Sequence, residues 1–203
     1  GELYVGCAGG IDATIRFDFT KEAMPASYSA FELTVKGMKG GHSGMDIILG
    51  RGNANKTLFR ILKALEAVDV RLGNINGGSL RNAIPREAFC TIAVPTDKAQ
   101  EAMNIVKELE AVVKSELSAV EPDLIITMTE ASSCEFVMDT DAAKRVVRAI
   151  YACPNGVYRM SDSMENLVET SSNLAIVKTD GDQILACALL RSSVDTAKAD
   201  FAE

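Results

Sequence analysis

The fold is narrowed first by a hydrophobic period that switches between two and about 3.6 residues along residues 28–130. Tyr28–Gly37 alternates Phe31, Leu33 and Val35 with Glu32, Thr34 and Lys36, as a strand with one buried face does. Asn53–Val68 sets Leu58, Ile61, Leu62 and Leu65 at helical spacing, with Asn53 or Asn55 placed to cap the start. Val70–Ile75 and Ala88–Val94 read as strands joined by the polar connection 76–87, and Pro95 ends the second. Along Lys98–Ser118 an apolar stripe runs through Ala102, Ile105, Val106, Leu109, Val112 and Val113, opposite Lys107, Glu108, Glu110 and Lys114. Asp123–Glu130 alternates again. The order β-α-β-β-α-β predicts an α+β fold, a ferredoxin-like antiparallel sheet with helices on one face.

The same order then restarts. A short strand is expected at Ser133–Met138 and a helix capped by Asp139 or Thr140, carrying Ala143, Val146, Val147 and Ile150. Strands follow at Glu169–Lys178 and Gln183–Leu190, with Asp180-Gly181 as a hairpin signal between them. Thr196–Glu203 begins a helix too short to bury a face alone. The expectation is a second, partly truncated β-α-β-β unit in a sequence cut from a longer chain. The division falls at 11–131 and 132–203.

Composition removes several function classes. With 47% hydrophobic and 24% charged residues the chain has the make-up of a globular protein. A net charge of −7 opposes binding to a phosphate backbone, so no nucleic-acid partner is expected. No apolar run approaches the ~20 residues that span a bilayer, and the start lacks a signal-like segment, so no membrane partner is expected. Five cysteines without a C-x-x-C pair read as reduced, buried thiols of a cytoplasmic protein.

The chemistry-bearing segment is GMKGGHSGMDIILGRG, at residues 37–52, where glycines surround the one histidine, His42. Neither phosphate-loop spacing is present. Met45 stands where G-x-S-x-G needs its last glycine, and the neighbouring side chains of His42 and Ser43 point apart, so no serine triad can be assembled. One imidazole cannot make a zinc site of the usual kind, and Asp139/Asp141 and Asp180/Asp182 read as a helix cap and a hairpin turn. His42 is either a solvated loop residue or, given glycines that permit close approach, a ligand-contacting one. Asn82, in the connection Ser79–Pro85, either satisfies its own loop or binds a ligand. Arg191, directly after the apolar strand, is either a strand-end charge or a bidentate grip for a carboxylate.

Five segments together resemble the bacterial Xaa-His dipeptidases, also called aminoacyl-histidine or cytosolic non-specific dipeptidases, of the di-zinc exopeptidase family. They are VGCAGGIDA (5–13), LTVKGMKGGHSGMDIILGRGNANK (33–56), GGSLRNAIPREAF (77–89), ETSSNLAIV (169–177) and LLRSSVD (189–195). The resemblance implies a zinc-dependent dipeptidase whose two metal ions sit in a catalytic domain outside this chain. It makes residues 1–10 a strand leaving that domain and the rest its lid and dimerisation part, inactive alone. It gives His42 the role of steadying the scissile carbonyl oxygen, and makes Asn82 and Arg191 substrate-binding groups, Arg191 for the terminal carboxylate. It also implies a homodimer formed through the lid, with His42 acting in its own subunit or across the pair. The competing classes are a small-molecule sensor, since tandem units of this kind bind metabolites, and a purely structural dimerisation module.

Overall fold

The computed structural model describes residues 8–203. Its strands and helices in the first half are β1 (Gly9–Asp18), β2 (Lys21–Glu22), β3 (Tyr28–Lys36), β4 (Gly41–His42), α1 (Ala54–Leu65), β5 (Arg71–Gly77), β6 (Ala83–Ile84), β7 (Ala88–Pro95), α2 (Ala99–Glu116) and β8 (Ile125–Glu130). The second half adds β9 (Val137–Met138), α3 (Thr140–Ala152), β10 (Gly156–Met160), β11 (Val168–Asp180), β12 (Gln183–Ser192) and α4 (Asp195–Ala202).

One eight-stranded sheet organises these elements, in the order β1-β12-β11-β5-β7-β3-β8, with β10 added beside β11. Every neighbouring pair is antiparallel. The mixed α and β architecture with a large antiparallel sheet is thus as the hydrophobic pattern predicts. The ferredoxin-like order does not stand as a separate sheet. Strands β5 and β11 meet through Val177↔Gly77 and Lys178↔Asn76, which joins the halves edge to edge.

Three further differences have local causes. The strand expected at residues 1–10 lies outside the described residues as far as residue 7, and Gly9 and Gly10 instead open β1, which continues to Asp18 and pairs with β12 along its whole length, from Gly9↔Ser192 to Asp18↔Gln183. The strand expected at Ser133–Met138 shrinks to Val137 and Met138, the two residues there that are fully buried, which pair with Glu22 and Lys21. Strand β10 is mostly exposed and therefore lacks a buried alternation to announce it.

The core is continuous across both halves, running from Phe31, Leu33 and Val35 on β3 to Val146 and Ile150 on α3 and Leu174 on β11. Helix α1 lies at its centre, touching α2, α3, β3, β7 and β11. Its Leu58, Phe59, Ile61, Leu62 and Leu65 are completely buried, each worth about 1.5–3 kcal/mol of apolar transfer.

The seam between the halves is polar and depends on the first turn of α1. Asn53 is the helix cap, accepting from the Lys56 amide at 3.1 Å, while its Nδ2 donates to the Leu174 carbonyl at 3.1 Å. Asn55 Nδ2 donates to the same carbonyl at 3.2 Å, and the Leu174 amide donates to Asn155 at 2.9 Å. These side chains satisfy the backbone where β11 bulges between Leu174 and Ile176. Lys56 Nζ donates to the carbonyls of Ile150, Tyr151 and Cys153 at the end of α3, where burial pushes its pKa down.

Candidate functional site

The glycine-rich loop between β3 and α1 is fastened at both ends by one side chain. Glu121, 1% exposed, accepts the Lys39 amide on Oε2 at 2.7 Å and the Gly52 amide on Oε1 at 2.9 Å. Within the loop, Asp46 accepts the His42 amide at 2.7 Å. Strand β4 pairs His42 with Ala83 of β6, and the Ser43 amide donates to the Asn82 carbonyl at 2.9 Å. The far side of that short ladder is held by Asn173 of β11, 1% exposed, whose Nδ2 donates to the Ala83 carbonyl at 2.8 Å. The backbone of His42 is thus tied to the second half of the molecule.

Its ring is also fixed. Nδ1 accepts the amides of Gly44 and Met45, each at 3.1 Å. Two donors on Nδ1 place the proton of the neutral ring on Nε2, which is then a hydrogen-bond donor. Gly44 lets a second group approach: a Cβ there would lie 3.2 Å from His42 Cε1 and 3.3 Å from Arg191 Nε. Imidazole and guanidinium therefore crowd the same point, one from each half of the sheet.

Both line a cleft of about 330 Å³, together with Gly44, Met45 and Ile48 from the loop and Leu167, Val168, Glu169 and Ser171 from the start of β11. Register explains the convergence. Arg191 pairs with Ser171, and Glu169 lies two residues before Ser171 on one strand, so all three present side chains to one face. Asn82 is exposed and is not among the residues lining this cleft; its backbone carbonyl holds the Ser43 amide.

Of the residues singled out from the sequence, His42 and Arg191 line this cleft; Glu121, Asn173 and Glu169 were not among them. Only Glu169 carried a detectable signal, an acidic residue at the start of an otherwise apolar and small-residue strand. Among the described residues no group of three or more His, Cys, Asp or Glu side chains is arranged to hold a metal ion, so these residues do not fit a metal centre. Three of the thiols, Cys90, Cys134 and Cys153, do not suit nucleophilic chemistry, since burial pushes their pKa upward; Cys7 lies outside the described residues. No helix among the described residues is long and apolar enough to cross a membrane.

Comparison with known proteins agrees along the chain. Residues 33–121 match the peptidase dimerisation domain family. The Escherichia coli cytosol non-specific dipeptidase is 43% identical over 199 residues, 98% of this chain and 41% of that protein. The crystal structure of aminoacylhistidine dipeptidase from Vibrio alginolyticus superimposes with a TM-score of 0.94 at 42% identity, again over 98% of this chain and 41% of the other. The chain spans well under half the length of either relative. The chain is thus similar along nearly its whole length to part of two dipeptidases, and residues 33–121 carry the match to the peptidase dimerisation domain family.

Proposed function

We propose that this chain is the lid and dimerisation part of a cytoplasmic, zinc-dependent dipeptidase, and that it lends His42, Arg191 and Asn82 to a catalytic domain beyond it. The observation that carries the reading is the pinned imidazole: its Nε2–H is aimed by two amides on Nδ1 and shares a cleft with a guanidinium.

Amide hydrolysis concentrates negative charge on the carbonyl oxygen as the tetrahedral intermediate forms. A donor already in place costs no reorganisation then, and one such donor is worth roughly 3–4 kcal/mol. His42 Nε2–H supplies it. Arg191 grips the C-terminal carboxylate of the dipeptide, which fixes the distance between the terminus and the scissile bond. Asn82 binds substrate from the neighbouring turn. The two zinc ions belong to residues outside this chain, which alone is inactive. The two relatives similar over 98% of the chain are dipeptidases by name, and nothing in the comparison favours a sensor or a purely structural module.

The match of residues 33–121 to a dimerisation domain family supports a homodimer. The strands of the main sheet paired on one side only, among the described residues, are β1, β8 and β10, because β11 of the same chain occupies the outer edge of β5. A partner's sheet would therefore add at one of these three.

The test uses the full-length parent enzyme. His42→Ala should lower kcat by roughly 10²–10³ with KM changed much less and metal content unaltered. Unchanged kcat would remove the carbonyl-oxygen role.

A further inference from the structure

We propose that Glu169 determines specificity for the C-terminal residue of the substrate, by accepting a hydrogen bond from the ring N–H of a histidine. The inference rests on the reading above, in which Arg191 holds the terminal carboxylate.

Glu169 is 8% exposed and lines the cleft. Its contacts all fall on one oxygen. Thr170 Oγ1 donates to Oε1 over a long 3.4 Å, and Arg159 Nε stands 3.6 Å from the same atom, beyond hydrogen-bond reach. No described residue donates to Oε2. Oε2 is not among the fully buried unpartnered atoms, so it keeps access to solvent. A ligand that displaces this solvent from the cleft must supply a donor in its place, or the carboxylate is left desolvated and unpaired.

The geometry says which donor. Glu169 and Ser171 are two residues apart on β11, and Ser171 faces Arg191. Arg191 and Glu169 are therefore separated by about 6.5 Å along the strand direction, a span that a histidine residue covers between its carboxylate and the far nitrogen of its ring. The same cleft is lined by Met45, Ile48, Leu167 and Val168, which suit a flat ring with an apolar body and a polar tip. Arg159 already balances the charge of Glu169, so a neutral N–H is a better occupant than a second ammonium ion. One relative is named for cleaving aminoacylhistidines; a buried acceptor at this depth gives such a preference a physical origin, since an unpaired polar group rejects substrates lacking its complement.

The experiment compares Gly-His with Gly-Leu in the full-length parent enzyme. Glu169→Leu should lower the ratio of their kcat/KM values at least tenfold, chiefly through KM for Gly-His, while Glu169→Gln, which retains an acceptor oxygen, should keep most of it. Equal losses on both substrates would show a structural role only, and an unchanged ratio would show none; either overturns the proposal. Should Glu169→Leu not fold, the unmodified enzyme decides: Gly-His methylated on either ring nitrogen has no N–H when neutral, and hydrolysis as efficient as that of Gly-His would overturn the proposal. Arg191→Met tests the underlying reading separately, because it should weaken both dipeptides together. If it spares both while the Glu169 ratio still falls, the carboxylate role fails and the side-chain role survives.

Discussion

Replacing Glu121 with Gln is expected to release the His42 loop without disturbing the core around it. Each carboxylate oxygen serves one amide, Lys39 at 2.7 Å and Gly52 at 2.9 Å. Glutamine keeps the shape but offers one acceptor, so one of the two amides faces an NH2 group. A hydrogen bond to a charged acceptor contributes about 1.5–3 kcal/mol and one to a neutral acceptor about 0.5–1.5 kcal/mol. Losing one bond and weakening the other therefore costs about 2–4 kcal/mol. Because 1.4 kcal/mol is a factor of ten, opening of the loop should become roughly 30- to 1000-fold more frequent. Amide hydrogen exchange in the full-length protein reads this directly at Lys39 and Gly52. Exchange in α1, whose Leu58 and Leu62 are fully buried, should change far less. If Lys39 and Gly52 exchange as in the unaltered protein, Glu121 does not fasten the loop.

Two other perturbations test the frame that carries the site. Asp139→Ala should destabilise the fold by about 1 kcal/mol in urea unfolding, as loss of a helix cap does. The amides of Thr20 and Ala142 hold the Asp139 carboxyl below its ordinary range. Its contribution is therefore complete above the unfolded value near ~3.9 and fades as pH falls through the lower folded value. The gap between Asp139→Asn and the unaltered protein should accordingly narrow only below about pH 4; a gap that widens there refutes the assignment. Gly37→Ala should lower stability by about 3 kcal/mol or more, because the backbone has φ +83° and a Cβ would stand 2.1 Å from the Asp123 carbonyl oxygen. A loss below about 1 kcal/mol, within the spread of ordinary substitutions, would refute it.

The sequence disclosed what is periodic and local. The strands of β3 and β7, both long helices and the Asp180-Gly181 hairpin all appear where alternation, spacing and turn chemistry put them, with Gly181 at φ 63° between Asp180 and its pair Gln183. The strand β1 is legible too, since Ile11, Ala13, Ile15 and Phe17 alternate with Asp12, Thr14, Arg16 and Asp18. The seam was not legible. It is made by asparagines at positions 53, 55, 155 and 173, whose partners are backbone groups up to 121 residues away, and no local pattern marks an amide as one that will bridge such a distance.

That seam explains why a lone histidine can matter. His42 and Arg191 belong to opposite halves of the sheet, and their approach at Gly44 depends on β5 meeting β11 and on Asn173 holding the strand opposite His42. The buried polar groups at the junction contribute little net stability compared with apolar packing. What they fix is register, since a two-residue shift of β11 would carry Ser171 and Glu169 about 6.5 Å along the cleft. The polar residues that look least like a core therefore set the distance between the two charges that a peptide would have to span.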